Sequence, residues 1–141
     1  MAVLLTGKPV ADAISADTRA RAEALLSRGV QPRLALLRCG DNEADGAYIR
    51  GAVKRAALCG VAAELRTLPA DASADVVAAA IDAVNRDPAV HGCLLLRPLP
   101  PHLRGEESAL CARLTPDKDV DGMTPESAAA VFTGQGRGFA P

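Results

Sequence analysis

The sequence contains few of the patterns that identify a binding chemistry by themselves. It has no C-x-x-C pair among its four cysteines, which argues against a zinc site and against a small disulfide scaffold. We therefore expect no metal and predict reduced, mostly packed thiols at Cys39, Cys59, Cys93 and Cys111. Both the G-x-G-x-x-G fingerprint and the P-loop are missing, so the chain has no recognisable pocket of its own for a dinucleotide or a nucleoside triphosphate.

Charge of one dominant sign and long apolar runs are missing as well. Sixteen basic and 17 acidic residues leave a formal net charge of −1, which gives no electrostatic case for nucleic acid or an anionic membrane. No apolar run approaches the ~20 residues of a membrane-spanning helix. Residues 1–8 also lack the basic and apolar regions of an export signal. The sequence therefore predicts a cytoplasmic protein that contacts neither nucleic acid nor membrane.

Predicted strands alternate with predicted helices along the whole chain. Apolar runs indicate strands at 2–5, 33–38, 61–68 and 90–97, and helical spacing indicates helices at about 11–28, 43–59, 73–86, 106–114 and 125–132. Strands that are apolar on both faces predict a mainly parallel sheet with helices on both sides, a three-layer α/β/α arrangement. We expect a single domain over residues 1–141. The first helix should bury a stripe formed by Ala11, Ile14, Thr18, Ala22, Leu25 and Leu26 and end at Gly29, and Gly60 should end the second helix. Ser73 should cap the third helix, whose buried face is formed by Val76, Val77, Ala80, Ile81 and Val84.

Aromatic residues make up 2% of the chain, and Tyr48 is its only tyrosine. Its flat ring and hydroxyl group can stack on a heterocycle and keep a polar contact. The alternative is a tyrosine half-buried on the flank of a helix. Arg50 and Lys54 lie one turn apart on the same helix, and such a pair is more often solvated than catalytic.

The apolar run that begins at Val90 ends in a loop with three prolines, Pro98, Pro100 and Pro101. Proline fixes the backbone and removes an N–H donor, so this loop should be stiff. Ligands of open α/β sheets bind at such strand ends, although a proline loop can also simply end a strand.

A third segment, from Asp117 to Gly122, carries three carboxylates and one lysine. The position of the glycine and the lack of a following bidentate glutamate do not fit a calcium-binding EF-hand. One carboxylate here can accept hydrogen bonds from a ligand rich in N–H groups. The alternative is a solvated turn.

In this order, the three segments resemble those of the bifunctional methylenetetrahydrofolate dehydrogenase/cyclohydrolase (FolD) family. The family motifs are Y-V-x-x-K-x-K on a helix, G-x-L-V-Q-L-P-L-P at a strand end, and P-x-K-D-V-D-G further on. Here they correspond to residues 48–54, 92–100 and 116–122. The resemblance implies that this half binds the folate substrate, whereas a cofactor domain for NADP or NAD is expected after residue 141. The abrupt end at 139–141 fits that expectation.

The resemblance also implies roles for single residues. Tyr48 is expected to stack on the folate and Asp121 to accept hydrogen bonds from the pterin N–H groups, with Pro98, Leu99 and Pro100 framing the substrate. The enzymes of this family oxidise 5,10-methylenetetrahydrofolate by hydride transfer and hydrolyse the methenyl product to 10-formyltetrahydrofolate. Such full-length enzymes are commonly homodimers. Most of that contact is made by the cofactor domain, so this domain alone is compatible with a monomer.

Two departures from the motifs put the hydrolytic step in doubt. The family lysine corresponds to Ala52 and the glutamine that supports it corresponds to Leu96, and a methyl group cannot transfer protons. Lys54 matches the second family lysine, but it lies about 120° from Tyr48 around the helix. Arg55 returns to within about 20° of Tyr48.

Arg97 adds a cation beside the lost glutamine. We therefore take Lys54, Arg55 and Arg97 as the candidate catalytic residues, although a guanidinium is a poor general base. Two further interpretations stay open. One is a folate-binding module without catalysis, and the other is an α/β domain with no folate site.

Overall fold

The structure is a computed structural model that describes residues 6–135, apart from the side chain of Ala44. Three strands form a parallel sheet, β1 (Arg33–Cys39), β2 (Ala62–Leu68) and β3 (Gly92–Leu95), in the order β2-β1-β3. The predicted strand at 2–5 lies outside the described residues. The third strand is shorter than predicted, although the N–H of Leu96 still donates to the carbonyl of Leu37 at 2.8 Å.

Within the described residues, five α-helices accompany the sheet: α1 (Lys8–Leu26), α2 (Glu43–Leu58), α3 (Ala74–Arg86), α4 (Glu107–Cys111) and α5 (Pro125–Thr133). Short 3-10 turns occupy Pro101–Leu103 and Pro116–Lys118. Helix α4 is shorter than the predicted 106–114, because its last residues form turns that lead into the second 3-10 segment.

Alternation along the strands separates two apolar layers, and this confirms the predicted α/β/α fold. Ala35 and Leu37 of β1 face one layer, in which α3 and α4 pack. Leu34 and Leu36 face the other, where Ile49 of α2 packs. Because successive side chains of a strand point to opposite faces, one sheet supports helices on both sides.

Helix α3 shows how local sequence signals produce these elements. The Ser73 side chain accepts a hydrogen bond from the N–H of Val76, as expected of a helix N-cap. Val77, Ile81 and Val84 form the buried face, at helical spacing. The predicted start, end and inner face of this helix are confirmed, except that Val76 is 44% exposed.

The predicted buried face of α1 is wrong in most positions. Ala22 alone among its described residues is buried, whereas Ile14 is 62% and Leu26 is 42% exposed. Helix α1 lies beside the C-terminal half of α2, where Arg19 Nε donates to the carbonyl of Leu58 at 2.9 Å. Ile14 and Thr18 of this stripe line an open groove with Leu34 of β1 and Tyr48 and Ala52 of α2.

The cysteines are packed as predicted. Cys59, Cys93 and Cys111 are buried and Cys39 is partly buried, and all four are free thiols. Burial raises the pKa of the Cys93 thiol to about 11, so this group is an uncharged part of the core. None of the helices among residues 6–135 is long and apolar enough to cross a bilayer.

Candidate functional site

A cleft of about 300 Å³ opens at the C-terminal end of β3. This edge of a parallel sheet is where open α/β folds bind ligands. One wall comes from the start of α2, and the floor comes from the end of β3. The lining residues are Asp45, Tyr48, Leu94, Leu95, Leu96, Arg97 and Asp121. The cleft therefore brings together Tyr48 and Asp121, which the sequence placed in two separate motifs.

Tyr48 is held by the second turn of α2 and is 55% exposed. The neighbouring residue Ile49 is 6% exposed and packs on the sheet. This apolar contact fixes the rotation of α2 about its own axis. The ring of Tyr48 is then directed to the mouth of the cleft. A half-exposed aromatic ring above apolar floor residues offers a stacking surface for a flat ligand.

Asp121 is presented by a loop that is folded around a buried neighbour. Asp119 is 1% exposed and accepts hydrogen bonds from the N–H groups of Asp121, Met123 and Thr124 at 3.3, 3.1 and 2.8 Å. Burial alone raises the pKa of the Asp119 carboxyl, but hydrogen bonds from Thr124, Ser127 and Met123 outweigh it and lower the pKa. Asp119 is thus a structural carboxylate, whereas Asp121 is directed to the cleft and is 31% exposed at its side chain.

Lys118 fixes the other side of this loop. Its ammonium group donates to the carbonyls of Val84, Asn85 and Asp87 at 2.6, 3.0 and 2.7 Å. These carbonyls belong to the C-terminal end of α3 and the residues after it, where a helix leaves acceptors without partners. The lysine of the third motif therefore anchors the loop to α3 and does not point into the cleft.

The glycine of the second motif allows the loop to approach the sheet. A Cβ added to Gly92 would lie 2.6 Å from Cγ1 of Val120. Residue Cys93 pairs with Asp119 in an isolated parallel bridge beside the sheet. A side chain at position 92 would push the loop away from the sheet. The glycine is therefore needed for the close approach of Val120 and not for an unusual backbone angle.

Arg97 lies in the cleft beside Asp121. Its Nη2 atom donates to Oδ2 of Asp121 at 3.4 Å, and the two side chains are 41% and 31% exposed. Strand alternation alone would place Arg97 on the face opposite Leu96. The strand has ended at Leu95, however, and the backbone turns at Pro98 after a cis peptide bond.

Ala52 and Leu96 lie in one small apolar cluster. Leu96 is 9% exposed and packs with Leu36 and Ile49, and Ala52 packs against the same cluster. The two positions that the family motifs fill with lysine and glutamine are therefore neighbours through this cluster. Both carry apolar groups in this chain, so the change affects one place in the structure.

The proline loop lines a second cleft of about 520 Å³, which shares Asp45 with the first. Pro98, Leu99 and Pro100 all line this second cleft, and Leu99 is 2% exposed. The N–H of Leu99 donates to Oε2 of Glu107 at 2.7 Å, which ties the loop to α4. The predicted frame is therefore tied to α4 and adjacent to the first cleft, but it lines a separate depression.

Of the other candidate catalytic residues, Arg55 lies in an apolar groove between α1 and α2, away from Asp121. This groove of about 350 Å³ is also lined by Tyr48 and Ala52. Arg55 Nη1 donates to Oγ of Ser15 at 2.9 Å, a contact that orients the guanidinium. Lys54 is exposed on α2 and does not line these three cavities.

Sequence reasoning missed Asp45 and the structural parts of Lys118 and Asp119. Asp45 lies in the first turn of α2, one turn before Tyr48, and lines both clefts. That one-turn spacing was a signal for a shared face. No sequence pattern indicated that Asp119 is buried, because its burial depends on how the loop folds back.

Comparisons with known proteins agree with the three motifs. A sequence profile described as "Tetrahydrofolate dehydrogenase/cyclohydrolase, catalytic domain" matches residues 5–121. The bifunctional protein FolD of Alkaliphilus metalliredigens is 39% identical over 141 residues, which are 100% of this chain and 49% of that protein. FolD of Paraburkholderia xenovorans is 40% identical over 134 residues, 95% of this chain and 46% of that protein. The chain thus spans about half the length of these relatives.

Solved structures show the same relationship. The bifunctional FolD enzyme of Campylobacter jejuni superposes with a TM-score of 0.91 at 29% identity, over 99% of this chain and 49% of that one. The methylenetetrahydrofolate dehydrogenase-cyclohydrolase of Trypanosoma brucei, solved with NADP cofactor and inhibitor, has a TM-score of 0.83 at 29% identity. That match covers 92% of this chain and 44% of the other.

Proposed function

The chain belongs to the tetrahydrofolate dehydrogenase/cyclohydrolase family, and from this premise we propose that it is the folate-binding half of a methylenetetrahydrofolate dehydrogenase. Its substrate in this proposal is 5,10-methylenetetrahydrofolate, which is oxidised to the 5,10-methenyl form in one-carbon metabolism. The observation that carries the proposal is the cleft in which Tyr48 and Asp121 meet. A flat ring and a carboxylate are what a pterin, which has a π face and an N–H-rich edge, requires.

In this proposal the chain binds and orients the folate, and it does not hold the hydride acceptor. The residues present do not fit a dinucleotide, because the sequence contains no glycine-rich fingerprint for its pyrophosphate. NADP or NAD would be bound by a further domain that we expect after residue 141. We propose that the 141-residue chain alone does not catalyse the dehydrogenase reaction, and that the full-length enzyme is a homodimer.

Hydride transfer depends more on how the folate is positioned than on acid–base groups of the protein, because the cofactor performs the redox step. The chain supplies that position through Tyr48 on α2 and Asp121 on the loop fixed by Asp119 and Lys118. The dehydrogenase step therefore depends on residues that this sequence retains.

The hydrolytic step to 10-formyltetrahydrofolate is less well supported by the residues present. General acid–base catalysis contributes about 10²- to 10⁴-fold and needs a titratable group within reach of the reacting atoms. Position 52 carries a methyl group and position 96 a buried leucine. If the full-length protein hydrolyses methenyltetrahydrofolate, Arg97 is the cation nearest Asp121 that could orient water, and Arg55 is the cation nearest Ala52 in the neighbouring groove.

A folate-binding module without catalysis is the second candidate function. The apolar cluster that contains Leu96 and supports Ala52 favours it, because both polar groups of the hydrolytic site are missing together. This candidate differs from the first in the fate of 5,10-methylenetetrahydrofolate, which a module would bind without converting.

The experiment that tests the proposal follows the two reactions separately in the full-length protein. NAD(P)H formation from 5,10-methylenetetrahydrofolate reports the dehydrogenase, and decay of added 5,10-methenyltetrahydrofolate reports the cyclohydrolase. We expect dehydrogenase turnover that Asp121→Asn lowers by at least about tenfold. Binding of folate without NAD(P)H formation would support the non-catalytic module. Cyclohydrolase turnover that is normal and unchanged in Arg55→Leu and Arg97→Leu would contradict our account of the altered site.

A further inference from the structure

Arg97 and Asp121 form a pair of opposite hydrogen-bonding character at one wall of the cleft. The guanidinium of Arg97 can only donate, and the carboxylate of Asp121 can only accept. They lie 3.4 Å apart, both are partly exposed, and both line the same cavity as Tyr48. The cleft therefore presents a donor next to an acceptor to any flat ligand that stacks on the tyrosine.

Arg97 is a departure of this chain from the motif that it resembles. The motif G-x-L-V-Q-L-P-L-P has leucine at the position of Arg97, so the chain replaces an apolar residue by a cation directly after the lost glutamine. The pair is half-exposed, and such an ion pair contributes little stability. A ligand that satisfies both groups can therefore separate them at small cost.

The edge of a 2-amino-4-oxo-pyrimidine ring carries the complementary pattern. Its 4-oxo group accepts a hydrogen bond, and the adjacent ring N–H and 2-amino group donate. A ring stacked on Tyr48 with its N–H groups on Asp121 would place the 4-oxo group beside Arg97. A 4-amino group at that place would instead put a donor against a donor, and a hydrogen-bonding site rejects such a mismatch.

We propose that Arg97 is a specificity-determining residue that selects the 4-oxo form of the pterin ring by donating to its carbonyl oxygen. This inference rests on the proposed function, since it assumes that the cleft holds the pterin. It assigns to Arg97 a recognition role that does not depend on whether the hydrolytic step survives.

The test compares tetrahydrofolate with the tetrahydro form of its 4-amino analogue, aminopterin, in which a 4-amino group replaces the 4-oxo group and N3 carries no hydrogen. Reduced rings are used because their N8 carries a hydrogen, so a flipped 4-amino ring offers Arg97 no acceptor. Calorimetry on the 141-residue chain is expected to show that tetrahydrofolate binds at least about tenfold more tightly than the 4-amino form. In Arg97→Leu we expect this preference to shrink by at least about threefold relative to the unchanged protein, whereas the part due to N3 facing Asp121 remains. Arg97→Lys, which keeps a cationic donor, should shrink the preference less.

The matched control is Arg113→Leu. Arg113 also pairs with an aspartate, Asp82, through two hydrogen bonds of 2.7 Å, but it lies outside the cleft. This variant should keep the full preference. Equal binding of the two ligands by the unchanged protein, or an unchanged preference in Arg97→Leu, would overturn the role of Arg97 alone. Failure of the unchanged protein to bind tetrahydrofolate would overturn the proposed function and this inference together.

Discussion

The carboxylate of Asp119 accepts a 2.8 Å hydrogen bond from the backbone N–H of Thr124, and this contact closes the loop that presents Asp121. Lys118, the residue before Asp119, donates to three backbone carbonyls at and just after the end of α3. Asp119 is therefore a structural carboxylate, whereas Asp121, two residues later, faces the cleft and pairs there with Arg97.

Replacing Asp119 by asparagine should destabilise the fold and weaken folate binding together. The amide offers one acceptor oxygen where the carboxylate accepts three backbone hydrogen bonds, and buried charged hydrogen bonds contribute about 2 kcal/mol. We expect urea denaturation to show a loss of about 2 kcal/mol. Asp71→Asn, at an exposed position, should change stability by less than about 0.5 kcal/mol.

The loss of stability caused by Asp119→Asn should depend on pH. Because the pKa of Asp119 is lowered in the folded state, its stabilising effect is complete above the ordinary carboxyl pKa and is lost as the pH falls through the lowered value. The stability difference between the unchanged protein and Asp119→Asn should therefore be constant near pH 7 and shrink below about pH 4. A difference that stays constant down to pH 2 would contradict this assignment.

Lys118→Met should cost about 1 to 3 kcal/mol of stability. The substitution keeps an unbranched side chain that lacks only the terminal nitrogen position, and it leaves the carbonyls of Val84, Asn85 and Asp87 without their charged donor. Thermal or urea unfolding measures this loss. Lys8→Met is the control, because Lys8 is 81% exposed and pairs with Asp12 on the surface. Equal effects of the two variants would show that Lys118 does not anchor the loop.

Gly92→Ala should destabilise by about 1 to 3 kcal/mol, since the added methyl group would overlap Val120. Combining it with Val120→Ala removes the overlapping atom, so the double variant should be more stable than the sum of the single effects predicts. Gly51→Ala gives the opposite sign. A Cβ there meets nothing within 4 Å in the middle of α2, and the change should stabilise by about 0.5 to 1 kcal/mol.

Restoring the two polar residues together should raise the cyclohydrolase rate. Ala52→Lys combined with Leu96→Gln returns a proton-transferring group and its partner to one cluster, and we expect at least a tenfold gain in methenyltetrahydrofolate decay in the full-length protein. Leu96→Gln alone should instead lose stability, because it buries an amide without its partner. Ala57→Lys adds the same charge at an exposed position of α2 and should leave the rate unchanged. A double variant with the original rate would contradict the importance of these positions.

Local signals predicted much of the fold. The serine that begins α3, the glycines after α1 and α2 and the apolar strand β1 all act within a few residues of chain. Gly29 and Gly60 do have positive φ values of 79° and 74°, as the ends of helices require. Such features depend on backbone geometry and neighbouring residues, which a sequence displays directly.

The parts that failed depend on what packs against what. The spacing of apolar residues on α1 identified its apolar face, but Ile14 on that face is exposed because no described element packs over it. The motifs located Tyr48 and Asp121 but not the ion pair of Arg97 with Asp121. That contact needs the end of β3, the turn at Pro98 and the folded loop at the same time, and no single segment encodes it.

The fluorescence of Tyr48 tests the central claim, folate binding in this cleft, most directly. The chain has one tyrosine and no tryptophan, so its emission comes from the residue that we place against the ligand. Titration with tetrahydrofolate, corrected for light absorbed by the ligand with free tyrosine as reference, should quench the emission to saturation at micromolar concentrations, and Asp121→Asn should weaken this binding at least tenfold. Emission that does not change with ligand, or a titration that Asp121→Asn leaves unaltered, would contradict the account.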